Sequence, residues 1–321
     1  LDIAIIGAGL AGVVLAGRLR AAGHAVTIFE KSRGAGGRMA TRRTDNFAFD
    51  HGAPCFSAES AAFRAFLAPH IDSRLVARWP ARFARVSADG TARAEDVERF
   101  VAVPAMNALC KALVGDTPLH TQVQVAPIEK PHELTDSDGK PLGRFDWIVS
   151  AAPGPQTAAL FADLAPLALD PDHMSGGFTT MLGLPAAHDP GWDMAETDDP
   201  VLAAIIADSS KPGRSAHGTA FVIHARSDWS EPRINEAPEA IQPQLADAFT
   251  RLTGIDASAA AYATTHRWRY AHANAGLSQG FVFSPEVGLA ACGDWCWGGG
   301  VEAAFRSASA LADRLAGQVS D

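Results

Sequence analysis

A continuous apolar run over residues 3–6, broken by Gly7, has the pattern of a short strand buried on both faces. Leu10, Val13, Val14 and Leu19 then recur at helical spacing, with Arg18 and Arg20 at the wet end, and predict a helix over 10–22. Gly23 stands where a residue just past a helix end often does, and 25–29 predicts a second strand. This opens a strand–helix–strand unit. After a loop rich in glycine and arginine over 31–43, the pattern predicts a strand over 45–51 and a helix over 61–67. Short strands over 82–87 and from 91 onward flank the turn at Asp89-Gly90. A helix over 104–114, a strand over 121–125, a hairpin over 134–143 with Asp138-Gly139 at its tip, and a buried strand over 147–151 follow. From 157 to about 280 the texture changes. Strand-like runs at 179–184, 202–207, 220–225 and 260–266 alternate with polar turns, interrupted by a helix over 238–252, and predict a second layer built on an antiparallel sheet. A strand over 288–292 and a long helix over 301–316 return the chain to its first texture.

The 321 residues are 47% hydrophobic and 20% charged, enough apolar material for one large domain or two sharing a core. Lys and Arg number 27 against 36 Asp and Glu, a formal net charge of −9. Such a field repels phosphate backbones and anionic lipid, so neither nucleic acid nor a membrane surface is an expected partner. Cys55, Cys110, Cys292 and Cys296 form no CxxC pair and have no zinc-spaced histidines nearby. They read as reduced thiols, and no metal is expected. The apolar run that opens the chain lacks a basic flank and carries Gly7, Gly9 and Gly12, unlike a signal peptide, so the expected location is cytoplasmic.

Gly7-Ala8-Gly9-Leu10-Ala11-Gly12 is G-x-G-x-x-G, set between a strand and a helix, and the second strand ends in Glu30, 18 positions after Gly12. That order is the dinucleotide-binding fingerprint. Gly7 permits the tight turn, Gly9 lets backbone approach a pyrophosphate, and Gly12 lets helix and strand pack closely. The helix N-terminus offers free amides and a partial positive charge, and Glu30 can accept from ribose hydroxyls. A glycine-rich helix start without a ligand is the alternative. Two further features point to FAD rather than NAD. Lys31-Ser32-Arg33-Gly34-Ala35-Gly36-Gly37-Arg38 supplies a second close backbone approach and a guanidinium fork for phosphate, which an NAD-dependent dehydrogenase does not need. Cys292-Gly293-Asp294 ends a late strand, where Asp294 could bind the ribityl or pyrophosphate portion or could cap a helix. Gly298-Gly299-Gly300-Val301 then aims the last helix's N-terminus at the flavin ring.

These stretches together resemble the glutathione-reductase-like flavoproteins, and within them the renalase branch of the amine-oxidase-like proteins, bacterial renalases above all. The resemblance rests on 31–39, Phe49-Asp50-His51-Gly52-Ala53, Ser210-Lys211-Pro212-Gly213-Arg214, Val222-Ile223-His224-Ala225 and Asp228-Trp229-Ser230. It continues through His266-Arg267-Trp268 with Tyr270, Cys292-Gly293-Asp294-Trp295-Cys296 and Val301-Glu302, in order along the chain. It implies an α/β fold in which a Rossmann-like FAD-binding domain (1–57, 101–156, 285–321) is interleaved with a smaller α+β substrate domain (58–100, 157–284) carrying a mixed or antiparallel sheet. It also implies non-covalent FAD held by Gly7, Gly9, Leu10, Ala11, Gly12, Glu30, Lys31, Gly37, Arg38, Met39, Gly52, Ala53, Val123, Gly293, Asp294 and Val301. The family's activity is oxidation of isomeric 2- or 6-dihydro-NAD(P) to NAD(P)⁺, with dioxygen reduced to hydrogen peroxide. The chain departs from the family pattern at Pro54-Cys55-Phe56, where an aromatic pair is usual, and at the triple glycine 298–300.

Phe56, His224, Trp229, His266, Trp268 and Trp295 are the expected pocket residues. Tryptophans give flat walls for a planar substrate, or else are core aromatics. Histidines can hydrogen-bond a carboxamide, or else are satisfied buried groups. Dihydropyridine oxidation releases no proton, because its product is an aromatic pyridinium, so the site needs orientation more than a general base. Amine oxidation is the alternative enzyme reading, weakened by only 2 Tyr in the chain. A non-catalytic binding protein on the same fold is the alternative of another class.

Overall fold

The computed structural model describes residues 1–214 and 217–317. The parts of the expected domain segments at 215–216 and 318–321 lie outside the described residues. The opening strand Asp2–Ile6 has four of its five residues buried, because it is the centre of a six-stranded sheet. Ala25–Glu30 pairs with it in parallel on one side and Trp147–Ser150 on the other. Leu119–Thr121 and Leu289–Ala291 extend the parallel order outward, and Val282–Ser284 adds an antiparallel edge. A strand enclosed on both faces carries no polar alternation, which is why 3–6 reads as an unbroken apolar run.

The helix Leu10–Ala21 packs on this sheet and against the closing helix Val301–Ala316. Leu10, Val13, Val14, Leu15 and Leu19 of the first meet Phe305, Ala308, Leu311 and Leu315 of the second in one buried cluster. Arg18, late in the first helix, donates to Asp313, late in the second, and the first residues of both line one cavity, so both helix N-termini come to the same end of the sheet.

The second layer is a seven-stranded sheet in the order Tyr262–Ala273, Met174–Leu184, Thr219–Ala225, Leu202–Ala207, Met194–Thr197, Phe83–Val86, Ala92–Glu95. Every pairing is antiparallel except Met194–Thr197 with Phe83–Val86, so the sheet is mixed. The helix Pro238–Thr253 covers its outer face, with Ile241, Leu245, Phe249 and Leu252 in the cluster that holds Phe178, Leu182, Phe221 and Ile223. The fold is α/β, a Rossmann-like layer joined to a mixed-sheet layer.

Several boundaries differ from the sequence expectation for identifiable reasons. The helix expected over 104–114 begins at Asn107, since Pro104 starts a turn. The strand expected over 121–125 ends at Thr121, where Gln122 takes φ +60°. The strand expected over 260–266 runs as Tyr262–Ala273, its polar residues facing a cavity. Gly154–Phe161 is a helix not expected from the sequence, since Pro153-Gly154-Pro155 reads only as a stop to the strand before it, and Pro155 is tolerated in the first turn.

Candidate active site

A cavity of about 2130 Å³ runs between the two layers. Drug-sized ligands occupy roughly 300–1,000 Å³, so this one has room for an extended dinucleotide and a second molecule. Its near wall is the glycine-rich turn. Gly7 has φ +109°, and a Cβ on Gly12 would stand 2.0 Å from the Gly7 carbonyl oxygen, so only glycine lets helix and turn approach. A Cβ on Gly9 would meet only Gly37 Cα, at 3.9 Å, so the backbone there borders open cavity. Gly37, with φ +52°, packs its backbone against Gly9. The two glycine stretches form one continuous cradle. Leu10, Ala11, Lys31, Met39, Gly52, Ala53 and Val123 also line the cavity, Met39 by its edge because the residue is 97% buried in the core. A Cβ on Gly52 would strike the Arg38 carbonyl oxygen, which accepts from Ala53 N at 2.7 Å.

Glu30 ties the cradle together. Its carboxylate accepts from Ala8 N at 2.8 Å and Ser32 N at 2.7 Å, while its carbonyl accepts from Val123 N. Arg38 does not point an open fork into the cavity. Its guanidinium grips both oxygens of Asp294, with Nη1 donating to Oδ2 at 2.9 Å, and also donates to the Ala271 carbonyl. Asp294 is buried and caps no helix, so the pair latches the second glycine stretch to the late strand. Gly293 is extended, and a Cβ there would hit the Trp295 indole at 2.6 Å. Gly300 at φ +97° leads into Val301, and among the described residues no side chain caps the closing helix, whose first residues line the cavity.

The far end of the cavity is a face of the mixed sheet. Thr179 lies between His224 on one strand and His266 on the other, so the three form a row across the sheet. Trp268 follows two residues beyond His266, on the same face. Trp268 Nε1 donates to the His51 carbonyl at 3.0 Å, and the His51 and His266 rings meet edge to face with centroids 5.0 Å apart. The Trp268 ring stands 4.3 Å from His266 and 5.3 Å from His51. Burial holds both histidines neutral, their pKa values pulled to about 4, with His266 and Arg42 adding to the effect on His51, and Arg42 and Arg267 on His266. Burial pulls His224 to about 3. Its Nδ1 lies 3.0 Å from Thr179 Oγ1, and its Nε2 has no partner among the described residues.

Three expected wall residues lie elsewhere. Phe56 is 5% exposed and packs against Phe63 and Phe100, bridged to Phe100 by backbone hydrogen bonds, behind the cavity wall. Trp229 covers the outer core cluster with the Arg233 guanidinium 4.6 Å from its ring. Trp295 is fully buried, donates Nε1 to the Ala152 carbonyl at 3.0 Å, and meets His173 edge to face. His224, His266 and Trp268 do line the cavity. Sequence reasoning missed His51, Thr179, Arg42 and His272, which line it too. The i, i+2 run His266, Trp268, Tyr270, His272 carried the signal for the last, since alternate residues of a strand share a face.

Residues 5–69 match the NAD(P)-binding Rossmann-like domain family. A 52-residue stretch is 52% identical to 4,4′-diapophytoene desaturase of Staphylococcus haemolyticus, covering 16% of this chain and 10% of that protein. The chain therefore spans about a tenth of the length of the curated relatives it matches. A candidate protoporphyrinogen oxidase from Exiguobacterium sp. 255-15 superposes with a TM-score of 0.78 at 12% identity, over 99% of both chains. Cyclohexylamine oxidase from Brevibacterium oxydans IH-35A gives 0.72 at 12% identity over 100% of both. No helix among the described residues is long and apolar enough to cross a membrane. The chain thus opens with a stretch similar to NAD(P)-binding Rossmann-like domains and, over its whole length, has the fold of these solved structures.

Proposed function

We propose that the protein is an FAD-dependent oxidoreductase, an oxidase of isomeric 2- or 6-dihydronicotinamides. In it a dihydro-NAD(P), dioxygen and a proton become NAD(P)⁺ and hydrogen peroxide. The observation that carries this reading is a single cavity bordered by the Gly9–Gly37 cradle, the Arg38–Asp294 latch and the uncapped closing helix, ending on His51, His266 and Trp268. The fingerprint alone serves NAD and FAD equally. The second glycine stretch, the late aspartate and the length of the cavity favour FAD.

The residues present fit that group. Open backbone at Gly9 and the free amides after it suit a pyrophosphate, Glu30 keeps lone pairs for ribose hydroxyls, and the Val301 end suits an electron-rich ring. FAD, when bound, supplies a two-electron acceptor for hydride. The chain's own residues orient and shield. Trp268 offers a flat wall fixed by its bond to His51. The unpaired His224 Nε2 can donate to or accept from a substrate carboxamide. Neutral histidines place no positive charge beside a ring that becomes a pyridinium. No residue is required as a base, because no proton leaves carbon or nitrogen. The expected segments 1–57, 101–156 and 285–321 would hold the cofactor and 58–100 and 157–284 the substrate, in a cytoplasmic protein.

A flavin amine oxidase is the second reading, and Tyr262 and Tyr270, both lining the cavity, favour it. The lining cations Arg33, Arg42, Arg43 and Lys111 disfavour an ammonium substrate. Purified protein should carry one FAD and release hydrogen peroxide with 2- or 6-dihydro-NAD. Yellow protein that forms peroxide only with amines selects the second reading, and colourless protein that takes up no FAD rejects both in favour of a non-catalytic binder.

A further inference from the structure

The chain is acidic, yet the cavity is not. Among the described residues its only lining carboxylates are Glu30, occupied by two amides, and Asp294, occupied by Arg38. Arg33, Arg42, Arg43 and Lys111 also line it, and among the described residues none of them makes an ion pair. Several arginines away from the cavity are matched to acids: Arg82 to Asp189 and Asp193, Arg85 to Glu95 and Glu196, Arg144 to Glu133, Arg251 to Asp199. Lining cations with no free carboxylate beside them concentrate positive field in the cavity and prepare it for anions.

The short strand Thr41–Arg43 divides these cations between two ends. Successive residues of a strand face opposite ways. Arg43 reaches Asn107, whose Cβ neighbours Gly36 in the cradle. Arg42 turns the other way and lines the cavity from its place opposite Phe49, two residues before His51, and its charge helps keep the His51 and His266 pKa values low. On the neighbouring long strand, Arg267 and Arg269 are tied to the 234–236 loop, through the Ile234 and Glu236 carbonyls and Asn235. Among the described residues Arg42 has no such tether. A bare guanidinium beside a ring that becomes a pyridinium opposes the reaction, whereas one neutralised by the substrate's own phosphate does not.

We propose that Arg42 is the anion anchor of the substrate site and selects phosphorylated substrates, those carrying a nucleotide phosphate on the group oxidised at His266 and Trp268. This rests on the dihydronicotinamide reading. The shared chemistry is a phosphate dianion or diester, and its source is either a mononucleotide's 5′-phosphate or a dinucleotide's pyrophosphate. Arg42 meets it with charge-assisted hydrogen bonds.

The test compares the 2-dihydro forms of nicotinamide riboside, its 5′-mononucleotide and the dinucleotide, with wild type, Arg42→Gln, Arg42→Lys and Arg144→Gln. Arg42→Gln is expected to raise KM roughly tenfold for the phosphorylated substrates, with the riboside unchanged and kcat within about twofold, since one such contact is worth about a factor of ten. Arg42→Lys should recover part of the loss. Arg144→Gln, with the same change in net charge, should change nothing. A loss confined to the dinucleotide assigns the contact to its pyrophosphate, and a loss shared with the mononucleotide assigns it to the 5′-phosphate. Equal KM changes for riboside and nucleotides, or none, overturn the proposal. If no dihydronicotinamide reduces the flavin, inorganic pyrophosphate titrated against the oxidised holoenzyme separates the two claims. A flavin spectral shift in wild type, weakened about tenfold in Arg42→Gln, sustains the anchor while the substrate reading fails, and no difference between them ends both.

Discussion

Single residues carry the chemistry at the sheet end of the cavity. Trp268 is fixed by one indole hydrogen bond to the His51 carbonyl. Trp268→Phe keeps the flat wall and loses that bond, worth about 1 kcal/mol, so the rate of flavin reduction should fall roughly fivefold with flavin content unchanged. A stopped-flow comparison checks this. The histidines give a pH dependence of defined sign. His51 and His266 are held near pKa 4 in the fold against 6.5 when exposed, so the unfolded chain binds more protons between those values. Stability attributable to them is full above about pH 6.5 and falls as pH drops toward 4, and flavin reduction should be flat from pH 6 to 8 and decline only near 4. A reduction rate that titrates near 6.5 would mean that the rings are solvated. At Asp294 the expectation concerns binding. Asp294→Ala strands the Arg38 guanidinium, and purified protein should hold less than about a tenth of the wild-type flavin, because removing one partner of such a pair costs about 2–5 kcal/mol.

Two helices and two glycine turns decide whether the cradle exists. Gly12→Ala places a Cβ 2.0 Å from the Gly7 carbonyl, so the first helix must shift, at a cost of about 3 kcal/mol in stability together with flavin retention. Gly17→Ala, in the same helix with open space around its Cβ, should be neutral or stabilising. Paired thermal melts and flavin absorbance separate a specific cradle from a generally fragile helix. These elements were also the most legible in the sequence. The fingerprint, its flanking strands and the closing helix over 301–316 follow from local periodicity and from glycines whose role is steric. The wall residues were not legible to the same degree. Trp229 and Trp295 look like Trp268 in sequence, and only the register of the long strand Tyr262–Ala273 puts Trp268 on the cavity face while Trp295 turns into the core. His51 was hidden because it acts from a loop, through its carbonyl and its ring edge, with no periodic partner.

At the scale of the whole molecule, a buried ion cluster joins the layers. Asp50 accepts from Lys211 at 3.2 Å and from Arg214 and Thr41, and Lys211 also meets Asp208, with all four charged side chains essentially sealed from solvent. Asp208 Oδ2 accepts from Asp50 N, so the short strand Ala48–Asp50 before His51 is pinned to the helical turn that follows Leu202–Ala207 of the mixed sheet. Burial alone would raise Asp50, but Lys211 and Arg214 outweigh it and hold the carboxylate low, whereas burial and the Asp50 charge push Asp208 up. Lys211→Met leaves those acids short of a cation and should cost about 3–5 kcal/mol, visible as a lower denaturation midpoint. Removing Asp208 as well, as Asn, should restore much of it. The motif 210–214 was visible in the sequence, but its partner Asp50 lies 161 positions from Lys211, a pairing that no local pattern reveals.

The central claim is that this cavity passes hydride from an isomeric dihydronicotinamide to FAD. Anaerobic mixing of the holoenzyme with 2-dihydro-NAD, 6-dihydro-NAD, ordinary NADH and a panel of amines, followed by the oxidised flavin band, tests it most directly. The account predicts rapid bleaching by a 2- or 6-dihydro isomer and little by amines. Rapid bleaching by amines alone contradicts it.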